Sequence, residues 1–261
     1  MRFAAAALVL SACYVERAPA TVDELVRATW TVFDKTPADI AAFATNAHEV
    51  LKGDTRKTTP ARGRVKSLSD TDLAAFVVAT KNPPKARGIY VYDRLDCTIA
   101  EIENLATAPN QKELFPGLYD DYTREYFSDR DAFLAGAMNR LQYATTLKAS
   151  VVGNQYTSVA TVEALRVPAP DAETIPTGPM LMLRQFLPGA AEFRGDGDFQ
   201  QDYQVELFYP IPDGTTMHLY GVWREMRVGT FSADDDVTMT LILDGLIDYD
   251  KRMEKHCQAM R

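Results

Sequence analysis

Residues 216–229, "TMHLYGVWREMRVG", constrain the fold more than any other stretch. Their side chains would point alternately to the two faces of a β-strand, yet neither face is cleanly polar. One face carries His218, Tyr220 and Arg224 among apolar residues, and the other mixes apolar residues with Glu225 and Arg227. A strand with one side in water separates polar from apolar residues more sharply. The segment predicts either a strand covered on both sides, with Arg224 paired to an acid, or a cavity wall that orients an apolar ligand. His218, Tyr220 and Arg224 are therefore the candidate ligand-binding residues.

The elements around this strand predict an α+β fold. Further strands are expected at 89–97, 143–152, 156–167, 179–187 and 203–209, with Gly153-Asn154 available for a hairpin. A short helix is expected after Thr98, and another helical pattern covers 128–142. The last helix, at 244–259, places Leu246, Tyr249, Met253 and Cys257 on one stripe. The fold class is thus an N-terminal helical segment followed by an antiparallel sheet with a long C-terminal helix.

This order of elements over residues 87–258 resembles the helix-grip fold of the START and polyketide-cyclase superfamily. The resemblance implies a curved sheet that wraps the last helix and leaves an apolar cavity. It rests on element order, without a diagnostic motif. Residues 120–142 depart from it, since that family has strands soon after the early helices. Another α+β arrangement is the alternative.

A helical segment is expected at residues 21–83, ahead of the α+β domain at 87–258. Helices are predicted to begin after Thr21, Thr36 and Ser69, each of which suits a helix N-cap. The intervening residues 52–66 are strongly basic, which suits a solvated loop or a contact with anionic lipid headgroups. "KNPPKARG" at 81–88 is the predicted boundary between the two parts.

The first residues predict where the protein is held. The apolar run at 3–12 is about half the length that a transmembrane helix needs, and Arg2 precedes it as in a secretory signal. It ends in "LSAC", which resembles the lipobox of bacterial lipoproteins. The resemblance implies that residues 1–12 are removed and that Cys13 becomes the lipidated first residue, on a tether at 13–20. The alternative is a plain signal peptide with Cys13 incidental.

The net charge limits the class of partner that the protein can bind, and the two cysteines other than Cys13 predict a disulfide. The formal net charge is −8, and an acidic protein repels nucleic acid, so no nucleic-acid role is expected. Once Cys13 is lipidated, Cys97 and Cys257 remain. An even number of cysteines in an exported chain predicts one bridge between them, with two buried thiols as the alternative.

No motif assigns a catalytic residue, a metal ligand or a cofactor. The three histidines lack metal-ligand spacing, and there is no phosphate loop or nucleophile elbow. Asp196, Asp198 and Asp202 suit a solvated acidic loop or a calcium site that lacks the full EF-hand pattern. The carboxylates of 120–131 suit an exposed strand and a helix cap better than a catalytic pair.

Together these features predict a lipid-anchored protein of the bacterial cell envelope. In lipoproteins of enteric bacteria an aspartate after the lipidated cysteine favours the inner membrane, and Tyr14 stands there instead, so the resemblance implies the periplasmic face of the outer membrane. We expect it to be non-enzymatic and to bind an apolar small molecule or lipid in its α+β domain. The alternative is an interaction protein that docks an envelope partner through its helical segment, and a carboxylate hydrolase is the third possibility. The size and lining of the largest cavity distinguish the three.

Overall fold

A computed structural model describes residues 18–51, 61–74, 76, 82–151, 153–168, 178–232 and 236–261. Cys13 and three of the six basic residues of 52–66, namely Lys52, Arg56 and Lys57, lie outside the described part of the chain. No helix within the described ranges is long and apolar enough to cross a membrane.

One antiparallel sheet organises the molecule. Its strands are β1 (Ala61–Val65), β2 (Arg87–Leu95), β3 (Asp121–Tyr126), β4 (Arg140–Val151), β5 (Asn154–Val167), β6 (Met180–Phe186), β7 (Glu192–Arg194), β8 (Gly197–Pro210), β9 (Thr216–Val228) and β10 (Phe231–Ser232). The main order is β1-β2-β9-β8-β6-β5-β4-β3, with β10 paired to β9 and β7 to β5.

Helices cover both faces of this sheet. They are α1 (Val22–Val32), α2 (Pro37–Leu51), α3 (Ile99–Thr107), α4 (Gln111–Leu114), α5 (Arg130–Leu134) and α6 (Asp236–Met260). The alternation of β9 shows the two layers. Met217, Leu219 and Trp223 join the core beneath α1 and α2, whereas Val222 packs with Met239 of α6. The predicted α+β class, with a long C-terminal helix on the sheet, is confirmed.

The stripe of α6 packs on the sheet as predicted. Met253 and Cys257 are fully buried, in a core that includes Leu181 and Leu183 of β6 and Phe208 of β8. Cys257 forms a disulfide with Cys97, their Cα atoms 5.4 Å apart and 160 residues apart in sequence. In the chain-entropy model a loop of that length contributes about 4–5 kcal/mol to the free energy of unfolding. The bridge therefore holds the last turns of α6 beside the start of α3.

The apolar stripe of α1 is buried against the opposite face of the sheet. A Cβ at Gly221 of β9 would lie 2.2 Å from the side chain of Val26, so glycine is needed where the helix approaches the strand. The ring of Trp30 meets the rings of Tyr203 and Trp223 edge-on at 5.5 and 6.2 Å. Since this stripe is occupied by the sheet, it offers no docking surface to a partner.

Two helical predictions are wrong, and three strands, β1, β7 and β10, were not predicted. Within 128–142 only Arg130–Leu134 is helical, because the side chain of Asp129 caps that short turn and β4 begins at Arg140. After Ser69 the described residues form a turn, closed by the carboxylate of Asp72 on the backbone N–H of Ser69. β1 lies in the basic stretch expected to be a loop or a headgroup contact, because two of its five residues are arginine and only Val65 is buried.

Candidate functional site

A cavity of about 650 Å³ lies between α6 and the sheet. Its wall is mainly apolar and is built from β4, β5, β6, β8 and β9 together with α3 and α6 and the segment 118–124. The apolar wall includes Leu147, Ala149, Val162, Leu183, Met226 and Leu246. This volume falls within the range of cavities that enclose small molecules in proteins, about 300–1,000 Å³.

The rim of the cavity is also apolar. Leu118, Phe231 and Leu241 line the cavity, yet their side chains are 38%, 44% and 59% exposed. They come from the segment before β3, from β10 and from the first turns of α6. Exposed apolar side chains beside a cavity are typical of a surface that an apolar ligand contacts.

Tyrosines supply much of the polar character of the wall. Tyr119, Tyr122, Tyr143, Tyr156, Tyr220 and Tyr249 line the cavity. Burial raises the pKa of the Tyr220 and Tyr249 hydroxyls well above the ordinary value, and it also raises that of Tyr143. These hydroxyls therefore stay neutral near pH 7, and that of Tyr220 donates to the amide oxygen of Gln204 at 2.5 Å.

Arg224 satisfies both interpretations of its strand. It lines the cavity, and its Nε donates to Oδ1 of the buried Asp202 at 2.8 Å. Its guanidinium also lies 5.1 Å from the ring centroid of Phe199. β9 is thus covered on both sides and forms a cavity wall, with Tyr220 and Arg224 in that wall.

His218 lies behind the wall rather than in it. It is fully buried, stacked on Phe208 at 4.1 Å, with its Nδ1 2.7 Å from Asp250 of α6 and its Nε2 3.2 Å from Glu206. Burial would lower the imidazole pKa, but the adjacent Asp250 and Glu206 carboxylates raise it to about 10. His218 is therefore protonated near neutral pH. It links α6 to the sheet, and it shares its single positive charge between Asp250 and Glu206, the second of which lines the cavity.

Arg124 is a further wall residue that the sequence did not single out. On β3, Tyr122, Arg124 and Tyr126 alternate with exposed residues, so these three face inward. The Arg124 guanidinium lies 4.3 Å from the ring centroid of Tyr143. The period-two pattern of "DYTREY" carries the signal that this side of β3 faces inward.

The acidic candidates do not come together. Asp196 and Asp198 pair with the half-exposed Arg227, whereas Asp202 pairs with Arg224. Among the described residues no group of three or more His, Cys, Asp or Glu side chains could hold a metal ion. The wall carboxylate Glu206 faces His218 and is not paired with a second wall carboxylate.

Comparisons with known proteins give structural likenesses only. No protein-family model matches the sequence, and no curated protein does. Human StAR-related lipid transfer protein 5 is 8% identical with a TM-score of 0.45, and the match covers 86% of this chain and 99% of that one. A STAR-related lipid transfer protein from Xanthomonas axonopodis is 12% identical with a TM-score of 0.42, and the match covers 69% of this chain and 91% of that one. A START superfamily protein from Mycobacterium smegmatis is 10% identical with a TM-score of 0.40, and the match covers 67% of this chain and 99% of that one.

Proposed function

We propose that this protein binds an apolar small molecule or lipid in the cavity between α6 and the sheet. The single observation that carries the proposal is the cavity itself, about 650 Å³ with a mainly apolar wall and an apolar rim. Apolar wall surface in contact with water is unfavourable, by roughly 25 cal/mol for each Å². A ligand that covers the wall removes this cost, while the tyrosines and the two arginines supply orienting hydrogen bonds.

The arrangement favours binding over hydrolysis. The carboxylates next to the cavity already have partners, since Asp202 accepts from Arg224 and Glu206 faces the protonated His218. A general base must be free to accept a proton near the working pH.

Native mass spectrometry of the purified mature chain tests the proposal. We expect one apolar molecule per chain, either retained from the cells or taken up from a panel of a fatty acid, a sterol and a phospholipid. Organic extraction should remove the added mass and leave the folded chain. A chain that shows only its own mass before and after incubation with the whole panel would refute the proposal.

We propose further that a lipid on Cys13 holds this binding domain on the periplasmic face of the outer membrane. The support is the apolar leader and its lipobox, because two or three acyl chains anchor a protein stably. Cys13→Ala is expected to leave an uncut precursor that takes up no lipid label in cells fed labelled palmitate. Normal processing and unchanged membrane fractionation of that variant would contradict the anchor.

A further inference from the structure

Arg124 places a cation in the cavity wall with no carboxylate partner among the described residues. Its Nη1 donates to the carbonyl oxygens of Ala106 and Ala108, both at 2.9 Å, and its Nη2 donates to the hydroxyl of Tyr122 at 2.6 Å. Its Nε has no hydrogen-bond partner within the described part of the chain. A buried charge without a counter-ion is unfavourable because it has lost its hydration, so the site favours an anion.

The groups beside Arg124 are hydrogen-bond donors as well. Thr145 lies directly opposite Arg124 in the β3–β4 ladder, so the two side chains share the cavity face. The buried Thr145 hydroxyl has no hydrogen-bond partner among the described residues. The Tyr122 oxygen accepts from Arg124, which leaves the hydrogen of that hydroxyl available to donate. Donors therefore surround the unpaired charge.

The other charged residues of the wall have ion-pair partners within the protein. Arg224 pairs with Asp202, and Glu206 shares the protonated His218 with Asp250. The corner formed by Arg124, Thr145 and Tyr122, here called the Arg124 corner, is thus the part of the wall whose cation has no carboxylate in hydrogen-bond contact among the described residues.

We propose that the ligand is an amphipathic anion whose carboxylate or phosphate-monoester head binds the Arg124 corner while its apolar tail fills the rest of the cavity. This inference rests on the proposed function. A guanidinium forms two parallel hydrogen bonds with either head, and such charge-assisted bonds are stronger than neutral ones. The hydroxyls of Thr145 and Tyr122 supply further donors to the head.

Calorimetric titration of the mature chain with four ligands of one tail tests the inference. Lauric acid and lauryl phosphate carry the two heads, whereas lauryl alcohol is neutral and laurylamine is cationic. We expect at least one of the anions to bind about tenfold or more tightly than the alcohol, and the amine to bind most weakly. The tighter anion identifies the head.

Binding of the neutral alcohol distinguishes a failure of this inference from a failure of the proposed function. If the alcohol binds as tightly as both anions, the Arg124 corner has only a structural role, and this inference alone is overturned. If none of the four ligands binds although the chain takes up a sterol or a phospholipid in the mass spectrometry panel, this inference is overturned and the proposed function stands. If nothing from either set binds, both are overturned.

A matched pair of variants assigns the preference to Arg124. Arg124→Gln removes the charge and should abolish the preference for the anion while leaving the affinity for the alcohol unchanged. Arg227→Gln makes the same change at a half-exposed arginine away from the wall and should keep the full preference. Should Arg124→Gln fail to fold, Arg124→Lys, which keeps the charge, must still prefer the anion. An unchanged preference in a folded Arg124→Gln, or its loss in Arg227→Gln alone, would overturn the inference.

Discussion

Met253→Asp is expected to destabilise the protein strongly. Met253 is fully buried among Leu181, Leu183 and Phe208, where a carboxylate has no partner. Burying an unpaired charge costs several kcal/mol unless the group takes up a proton, and a domain has only about 5–15 kcal/mol to lose. Circular dichroism should show a much lower melting temperature, or no cooperative transition.

Two controls on the same helix separate this effect from a simple change of charge. Lys251 is exposed, and Lys251→Asp changes the net charge by more than Met253→Asp does. Met260 is 46% exposed, and Met260→Asp is the identical substitution. Both controls should melt close to the wild type. Equal melting temperatures for Met253→Asp and Met260→Asp would show that this face of α6 is in solvent, and the cavity beneath it would then not exist.

The local pattern was sufficient to predict the main strands and the packing of α6. The sequence stripe of Leu246, Tyr249, Met253 and Cys257 faces the sheet, and an even pair of cysteines sufficed to suggest the disulfide. Burial that repeats every 3.6 residues in a helix or every 2 residues in a strand can be predicted from one sequence, because the inward positions are apolar.

Features that depend on a distant partner could not be predicted in the same way. β1 pairs through its backbone, so its arginines carry no apolar signal. His218 was expected at the ligand but lies behind the wall, since its position depends on Asp250, 32 residues away on another element. The alternation of "DYTREY" indicates that Arg124 faces inward, but no short-range pattern shows that β3 returns beside β4 to place it in the cavity wall.

Filling the cavity is expected to weaken ligand binding. Leu147 on β4 lines the wall and is half-buried. The indole of Leu147→Trp would occupy space that the ligand needs, so affinity should fall about tenfold or more, 1.4 kcal/mol for each factor of ten. Overpacking costs about 1–3 kcal/mol of stability, which the fold should tolerate. Val159→Trp is the matched control, because Val159 on neighbouring β5 is 51% exposed and lies outside the wall.

Fluorescence titration with the neutral dye Nile red tests the central claim most directly, because it measures occupation of the apolar cavity without help from charge. We expect one saturable site on the wild-type chain and on Val159→Trp, with blue-shifted emission from the enclosed dye, and a loss of about tenfold or more in affinity for Leu147→Trp. Dye that binds folded Leu147→Trp as tightly as the wild type, or that does not saturate on any of the three chains, would contradict binding in this cavity.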